Sequence, residues 1–332
     1  MTISFEGSHT SAENDRPRPD IIHLVSFEQS SNALLRQLVA ARIAGVQIVR
    51  YWIGRDYLWA KYHAPSQEFA RAMARMGALQ LCRTSELVDQ LGALGVSAKM
   101  LPVISSNISS NARPQGLPKT FTALCYLPVE RREFHGGGVI DALIGRLPSV
   151  RFLILGGGGA SLADQPNVEW LRDSTDSIRA IQRSTVVVDA RVDAGLSRLV
   201  LEAFCHGRHV ITGYKLPHAR IARSKEEFVE AIRTLRDEAS YNLEGRSYVD
   251  REHEHHAATK ALRRELEDAI QPGRLNLVLE GGFRGAATTL QNLHVLSHRN
   301  FPLPDVDLLP AEAYAFRCLL QDMQQIDRAV AV

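Results

Sequence analysis

A chain of 332 residues with 45% hydrophobic and 23% charged side chains has the composition of a globular protein of two domains, which excludes disordered, fibrous and disulfide-stapled classes. Its 39 Lys and Arg against 37 Asp and Glu leave a formal charge of +2, so no basic field marks nucleic acid as a partner. Cys82, Cys125, Cys205 and Cys318 stand far apart with no C-x-x-C spacing, the pattern of reduced cytosolic thiols rather than of a zinc ribbon.

Residues 1–20 carry acids, prolines and small polar residues without an apolar stretch and are expected to form a mobile tail, not a signal peptide. No later run reaches the ~18 apolar residues of a membrane-spanning helix. From Ile21 short apolar runs alternate with amphipathic stretches, which predicts parallel strands covered by helices. In the segment 21–104 the strands are IIHLVSF, VQIVRYW, LQLCRT and SAKMLPVI. Helices are predicted over Leu34–Ile43, SQEFARAMARMGA and SELVDQLGALG. Trp52 and Trp59 are expected to pack, and His23, inside an apolar strand, reads first as a core histidine.

Residues 105–118, rich in Ser, Asn, Pro and Gly, read as a linker. A second α/β domain is expected over 119–270. Its strands are TFTALCYL, VRFLIL, NVEWLR, TVVVDA and HVIT, and its helices follow the apolar spacing of Val139–Leu147, SIRAIQRS, LSRLVLEAFCHG and KEEFVEAIRTLRDEA.

Three segments carry chemistry. In YLPVERREFHGGG, Arg131, Arg132 and His135 lie between a strand and glycines that open a helix. Helix N-termini favour anions and arginine grips two phosphate oxygens at once, so the loop suits a diphosphate; a flexible turn with solvated arginines is the plainer reading. The run Gly156–Gly159 follows a strand without opening an apolar helix, so it is no dinucleotide fingerprint; it marks close approach of backbone to a ligand or to a neighbouring strand. Glu202 sits near the core-facing side of an apolar helix and needs a partner, either a ribose diol or an internal arginine. In REHEHHAATK only His253 and His256 share a helix face, so this cluster is not expected to bind metal.

These pieces, in this order, resemble the C-terminal domain of retaining GT-B glycosyltransferases, in particular glycosyltransferase family four, over roughly residues 20–260. The match is closest in GLSRLVLEAFCHGRHVIT. It implies an α/β fold of two Rossmann-like domains facing a cleft, with a nucleotide-sugar donor on the second. By the resemblance Glu202 binds the ribose, and Gly195, Leu196 and Ser197, with Gly136, Gly156, Gly157 and Asp193, line the diphosphate and sugar. Arg131, Arg132 and His135 stabilise the departing diphosphate, and neither metal nor other cofactor is required. Two positions depart from the family pattern. Ala194 replaces the first glutamate of the loop, with Asp193 beside it, and His135 replaces the usual lysine.

YWIGRDY looks like the strand-end segment that such enzymes place at the cleft, which makes His23, Arg55 and Asp56 the acceptor-side candidates. By the resemblance the first domain is expected to be shorter than the family's. Within residues 271–332, RLNLVLEGGFRGAATTLQNLHVL reads as a strand, a glycine turn and a helix, which either complete the first sheet or form a subdomain or a dimer contact. The expected activity is transfer of a sugar from a nucleoside diphosphate to a glycan or lipid-linked acceptor. A nucleotide-sugar epimerase, or a non-catalytic binding or assembly subunit of the same architecture, is the alternative. Arg36, Arg42, Arg71, Arg75 and Arg83 accompany amphipathic helices, so weak, salt-sensitive contact with the inner membrane face is expected of an otherwise cytoplasmic protein.

Overall fold

The computed structural model describes residues 21–25, 32–43, 45–101, 116–129, 131–171, 177–191, 195–238, 240–253 and 255–270. The readings on the N-terminal tail, on most of the linker and on residues 271–332 lie outside this set.

Two parallel sheets organise the chain. The first contains β1 (Ile21–Val25), β2 (Gln47–Trp52), β3 (Leu79–Cys82) and β4 (Lys99–Met100), paired in chain order. Helix α1 (Asn32–Ile43) crosses from β1 to β2, α2 (Arg55–Tyr62) and α3 (Ala64–Arg75) from β2 to β3, and α4 (Ser85–Ala93) from β3 to β4. Leu35, Leu38, Ile48, Phe69 and Met73 form one buried cluster on this sheet. Thr84 caps α4 by accepting a hydrogen bond from the Leu87 amide at 3.2 Å.

The second sheet contains β5 (Thr122–Tyr126), β6 (Arg151–Leu155), β7 (Val168–Leu171), β8 (Val186–Asp189), β9 (His209–Thr212) and β10 (Arg220–Ile221), in the order β10-β9-β8-β5-β6-β7. The chain therefore runs outward from β5 to β7, returns to the other side of β5, and runs outward again. Helices α5 (Gly137–Arg146) and α8 (Lys225–Glu238) cover one face, where Cys125, Ile140, Phe152, Val188, Phe228 and Ile232 pack. On the other face Leu124, Leu153 and Val187 meet Ile181 of α6 (Ser177–Gln182) and Val200, Leu201 and Phe204 of α7 (Arg198–Cys205). The strands are near-continuous apolar runs because both faces are covered.

Two further helices follow, α9 (Leu243–Glu252) and α10 (His255–Ile270). Sequence reasoning assigns both to the second domain. The structure instead lays α10 on the first sheet, with Ala261, Leu262 and Leu266 against buried Val49, Leu81 and Leu101, and Lys99 paired to Glu265 at 2.6 Å. The domains also touch where Arg83 donates to the Leu196 carbonyl at 3.1 Å and Glu86 accepts from the Lys215 amide and faces Arg223 at 3.7 Å.

The five arginines that accompany the amphipathic helices do not form one free basic face. Arg42 is buried and bonds Gln47 at 2.6 Å and the Met76 carbonyl at 3.2 Å; Arg71 and Arg75 both face Glu68; Arg83 lies between the domains. Arg36 is exposed on α1. No helix among the described residues is long and apolar enough to cross a membrane. Cys82, Cys125 and Cys205 are free and buried.

Candidate donor site at the switch point of the second sheet

Where strand order reverses, the connections leaving adjacent strands go to opposite faces and open a crevice beyond the carboxyl ends of the strands. Here that point lies between β5 and β8. The loops that flank it are those carrying Arg131, Arg132 and His135 after β5, and Arg191, Gly195, Leu196 and Ser197 after β8.

Gly136 brings the two loops together. It caps α5 in the left-handed region (φ +79°), and a Cβ there would stand 2.7 Å from the Ala190 carbonyl oxygen. Only glycine satisfies both conditions. The N-terminus of α5 is thereby pressed against the end of β8, next to the start of α7. Ser197 caps α7 by accepting from the Val200 amide at 3.2 Å. Two helix N-termini thus meet at one crevice, and their dipoles favour negative charge there, although the Gly136 and Gly137 amides are already bonded to the Glu133 and Arg132 carbonyls at 2.9 Å.

His135 lies in this crevice, half-buried, edge-on to the exposed Tyr126 ring at 5.1 Å and to Phe134 at 5.4 Å. Burial first, then the positive charges of Arg191 and Arg55, outweigh Asp189 and push its imidazole down to about 4. It is neutral at pH 7, unlike the lysine of the family pattern. The positive charge of Arg55, the first residue of α2 in the other domain, is felt at His135, which puts this acceptor-side candidate on the same side of the molecule.

Arg132 is engaged elsewhere. Its guanidinium bonds Glu133 at 2.9 Å and also Asp141 of α5, against the flank of Gly137. Arg131 is half-buried in the same loop. Sequence reasoning missed Arg191. It follows β8 directly and forms a fork on Asp189, Nε to Oδ1 and Nη2 to Oδ2, both 2.9 Å, while Nη2 also donates to the Gly195 carbonyl at 2.6 Å. Tyr214 donates to Asp189 at 3.1 Å. Burial alone would raise the Asp189 carboxyl, but Arg191, His135 and Tyr214 outweigh it and hold it below its ordinary value. The available signal was the sequence VVVDAR: a carboxylate ending an apolar strand needs a cation, and the first to follow is Arg191.

Glu202, on α7, is 3% exposed, and its carboxylate is turned to the start of α6. Arg198 donates to it at 2.7 Å and Ser177 at 2.9 Å, so the internal arginine supplies the partner that burial demands. The four-glycine run packs against neighbouring chain. A Cβ on Gly156, Gly157 or Gly158 would stand 2.5–2.8 Å from Leu127, Pro128 or Val129, the Gly158 amide donates to the Leu127 carbonyl at 2.8 Å, and Trp170 donates to the Gly156 carbonyl at 2.9 Å. Gly156 and Gly157 therefore brace the loop after β5. Asp193 lies outside the described residues.

The remaining acceptor-side candidates stand elsewhere. Asp56 is completely buried, and its Oδ1 accepts from the amides of Ile53, Gly54 and Tyr57 at 3.0–3.1 Å. Its charge supports buried Arg50, whose guanidinium lies 3.4 Å over the Trp52 ring. Asp56 shapes the α2 start from inside and does not face the crevice. His23 is exposed on β1 rather than in the core, edge-on to Tyr51 at 6.3 Å. His253 is buried beside the Tyr248 hydroxyl at 3.2 Å, and among the described residues no group of three His, Cys, Asp or Glu side chains is gathered.

No protein-family model and no curated protein matches the chain. Solved structures do. HepE from Anabaena, in complex with UDP and glucose, is similar over 75% of this chain and 77% of its own, with a TM-score of 0.58 and 14% identity. Sucrose-phosphate synthase from Thermosynechococcus elongatus is similar over 75% and 74%, with a TM-score of 0.57 and 12% identity. A point mutant of S. aureus TarM, in complex with Fondaparinux, alpha-GlcNAc-glycerol and UDP, is similar over 68% and 51%, at 0.51 and 11%. At such identities the likeness shows the fold: two parallel-sheet Rossmann-like domains of the GT-B type.

Proposed function

We propose that this chain is a retaining, metal-independent glycosyltransferase that moves a hexosyl group from a nucleoside diphosphate sugar to a glycan or lipid-linked acceptor in polysaccharide or glycoconjugate synthesis. The observation that carries the reading is the crevice between β5 and β8, where the N-termini of α5 and α7 meet beside His135. In this reading the diphosphate lies over the two helix N-termini, flanked by the loop of Arg131 and His135. The amides of Gly195, Leu196 and Ser197 meet the charge that develops as the glycosidic bond breaks. Glu202 then exchanges its bond to Arg198 or Ser177 for the ribose hydroxyls. The solved complex of HepE with UDP-glucose supports this class of donor.

A second reading is favoured by one observation. Ala194 occupies the position of the family's first glutamate, which suits a protein that binds a nucleotide sugar without turning it over, as an assembly subunit. Purified protein incubated with UDP-, GDP-, ADP- and TDP-hexoses, with and without EDTA, separates the two. Release of nucleoside diphosphate that EDTA leaves unchanged is expected. Binding without release would establish the second reading, and neither binding nor release would remove both.

A further inference from the structure

We propose that Arg191 is the arginine that grips the donor's diphosphate, in the role that the sequence pattern suggests for Arg131 or Arg132. The proposal rests on the donor-site reading above and goes beyond it by assigning the cation. Arg191 is in the right place. It follows β8 directly at the switch point, with the α5 N-terminus pressed on Ala190 before it and the Gly195 carbonyl at the mouth of α7 bonded to it at 2.6 Å. Arg132 occupies the flank of α5, satisfied by Glu133 and Asp141.

Arg191 is also held rigidly. The fork on Asp189 and the Tyr214 hydroxyl behind it keep the guanidinium in one orientation, and the Gly195 contact ties it to the loop that leads into α7. A guanidinium already ordered loses little freedom when an anion arrives. Asp189 also makes the unliganded site tolerable, since an uncompensated cation in a side chain only 13% exposed would be costly. The positive charge of Arg191 is also felt at His135 in the loop after β5.

The test is isothermal titration of the wild-type chain and of Arg191→Gln, Arg191→Lys and Arg132→Gln with UDP, GDP, ADP and TDP, and with the matching nucleoside monophosphates. For whichever diphosphate the wild type binds, Arg191→Gln is expected to weaken it about 10- to 100-fold, the range of a lost charge-assisted hydrogen bond. The monophosphate is expected to lose much less, so the preference for the diphosphate collapses. Arg191→Lys keeps a charge opposite buried Asp189 and safeguards the test if the glutamine variant fails to fold; it is expected to recover part of the affinity. An unchanged ratio of diphosphate to monophosphate affinity in folded Arg191 variants overturns the assignment, as does a loss confined to Arg132→Gln. Failure of the wild type to bind any of the diphosphates overturns the donor-site reading itself, and the assignment with it.

Discussion

The two sheets are built from the same local rules and differ in one respect, the order in which their strands pair. The first runs β1-β2-β3-β4 in chain order, so its described strands contain no reversal and its crossovers open no crevice between neighbours. The second reverses between β5 and β8, and the mutually coupled groups His135, Asp189 and Arg191 stand at that reversal. In the first domain the buried ions Arg50 and Asp56 serve the interior. Strand order, more than residue type, separates buried charges that shape a core from a pair that stands at a crevice.

Glycines put this contrast to its hardest test. Gly136 combines φ +79° with an approach of 2.5–3.0 Å to Ala190, whereas a methyl group on Gly92 of α4, in the first domain, would meet nothing within 4 Å. Gly136→Ala is expected to cost about 2–4 kcal/mol in urea unfolding, from backbone strain plus displaced chain. Gly92→Ala is expected to stabilise by about 0.5–1 kcal/mol. Equal effects would show that the α5 N-terminus is not held against β8.

Glu202→Ala probes the second sheet through binding instead of folding. Its stability cost is expected to stay at about 1 kcal/mol, because Arg198 can turn to solvent, while nucleotide affinity falls by ~1.5–3 kcal/mol. A folded variant with unchanged affinity removes Glu202 from the site.

A smaller effect concerns acid. His135 titrates near 4 when folded and near 6.5 when unfolded. The unfolded chain therefore binds the extra proton between those values. The stability from keeping this imidazole neutral is complete above about 6.5 and is lost as pH falls toward 4. His135→Gln should flatten that part of the pH dependence of unfolding, and a ring that titrates near 6.5 in a proton NMR titration would contradict it.

The smallest effect is expected at membranes. With Arg42 and Arg83 engaged in internal contacts and Arg71 and Arg75 facing Glu68, sedimentation with anionic liposomes should show at most weak association at low salt and none at high salt.

Most strands and helices were legible because short apolar runs and the apolar period of 3.6 survive in this sequence, and linear order led to the GT-B expectation. Helix α2 was missed for a physical reason: six of its eight residues are buried, so RDYLWAKY shows no polar face to reveal a helical period. The seat of α10 on the first sheet was illegible because its amphipathic pattern is equally compatible with either domain. At the site, the helix openings at Gly136 and Ser197 could be read locally. The glycine run left ligand and neighbouring chain as equal choices, and only tertiary structure supplied Leu127, Pro128 and Val129. Arg191 escaped because a single arginine after a strand forms no motif; its meaning comes from the fork on Asp189 and from the strand order beside it.

Whether a nucleoside diphosphate occupies the β5–β8 crevice can be read by amide hydrogen exchange with and without UDP, GDP, ADP or TDP. Occupancy there slows exchange at Gly138 and at Gly195–Ser197 together and leaves the first sheet little changed. Protection confined to the first domain, or nucleotide binding that leaves both helix N-termini unprotected, would contradict it.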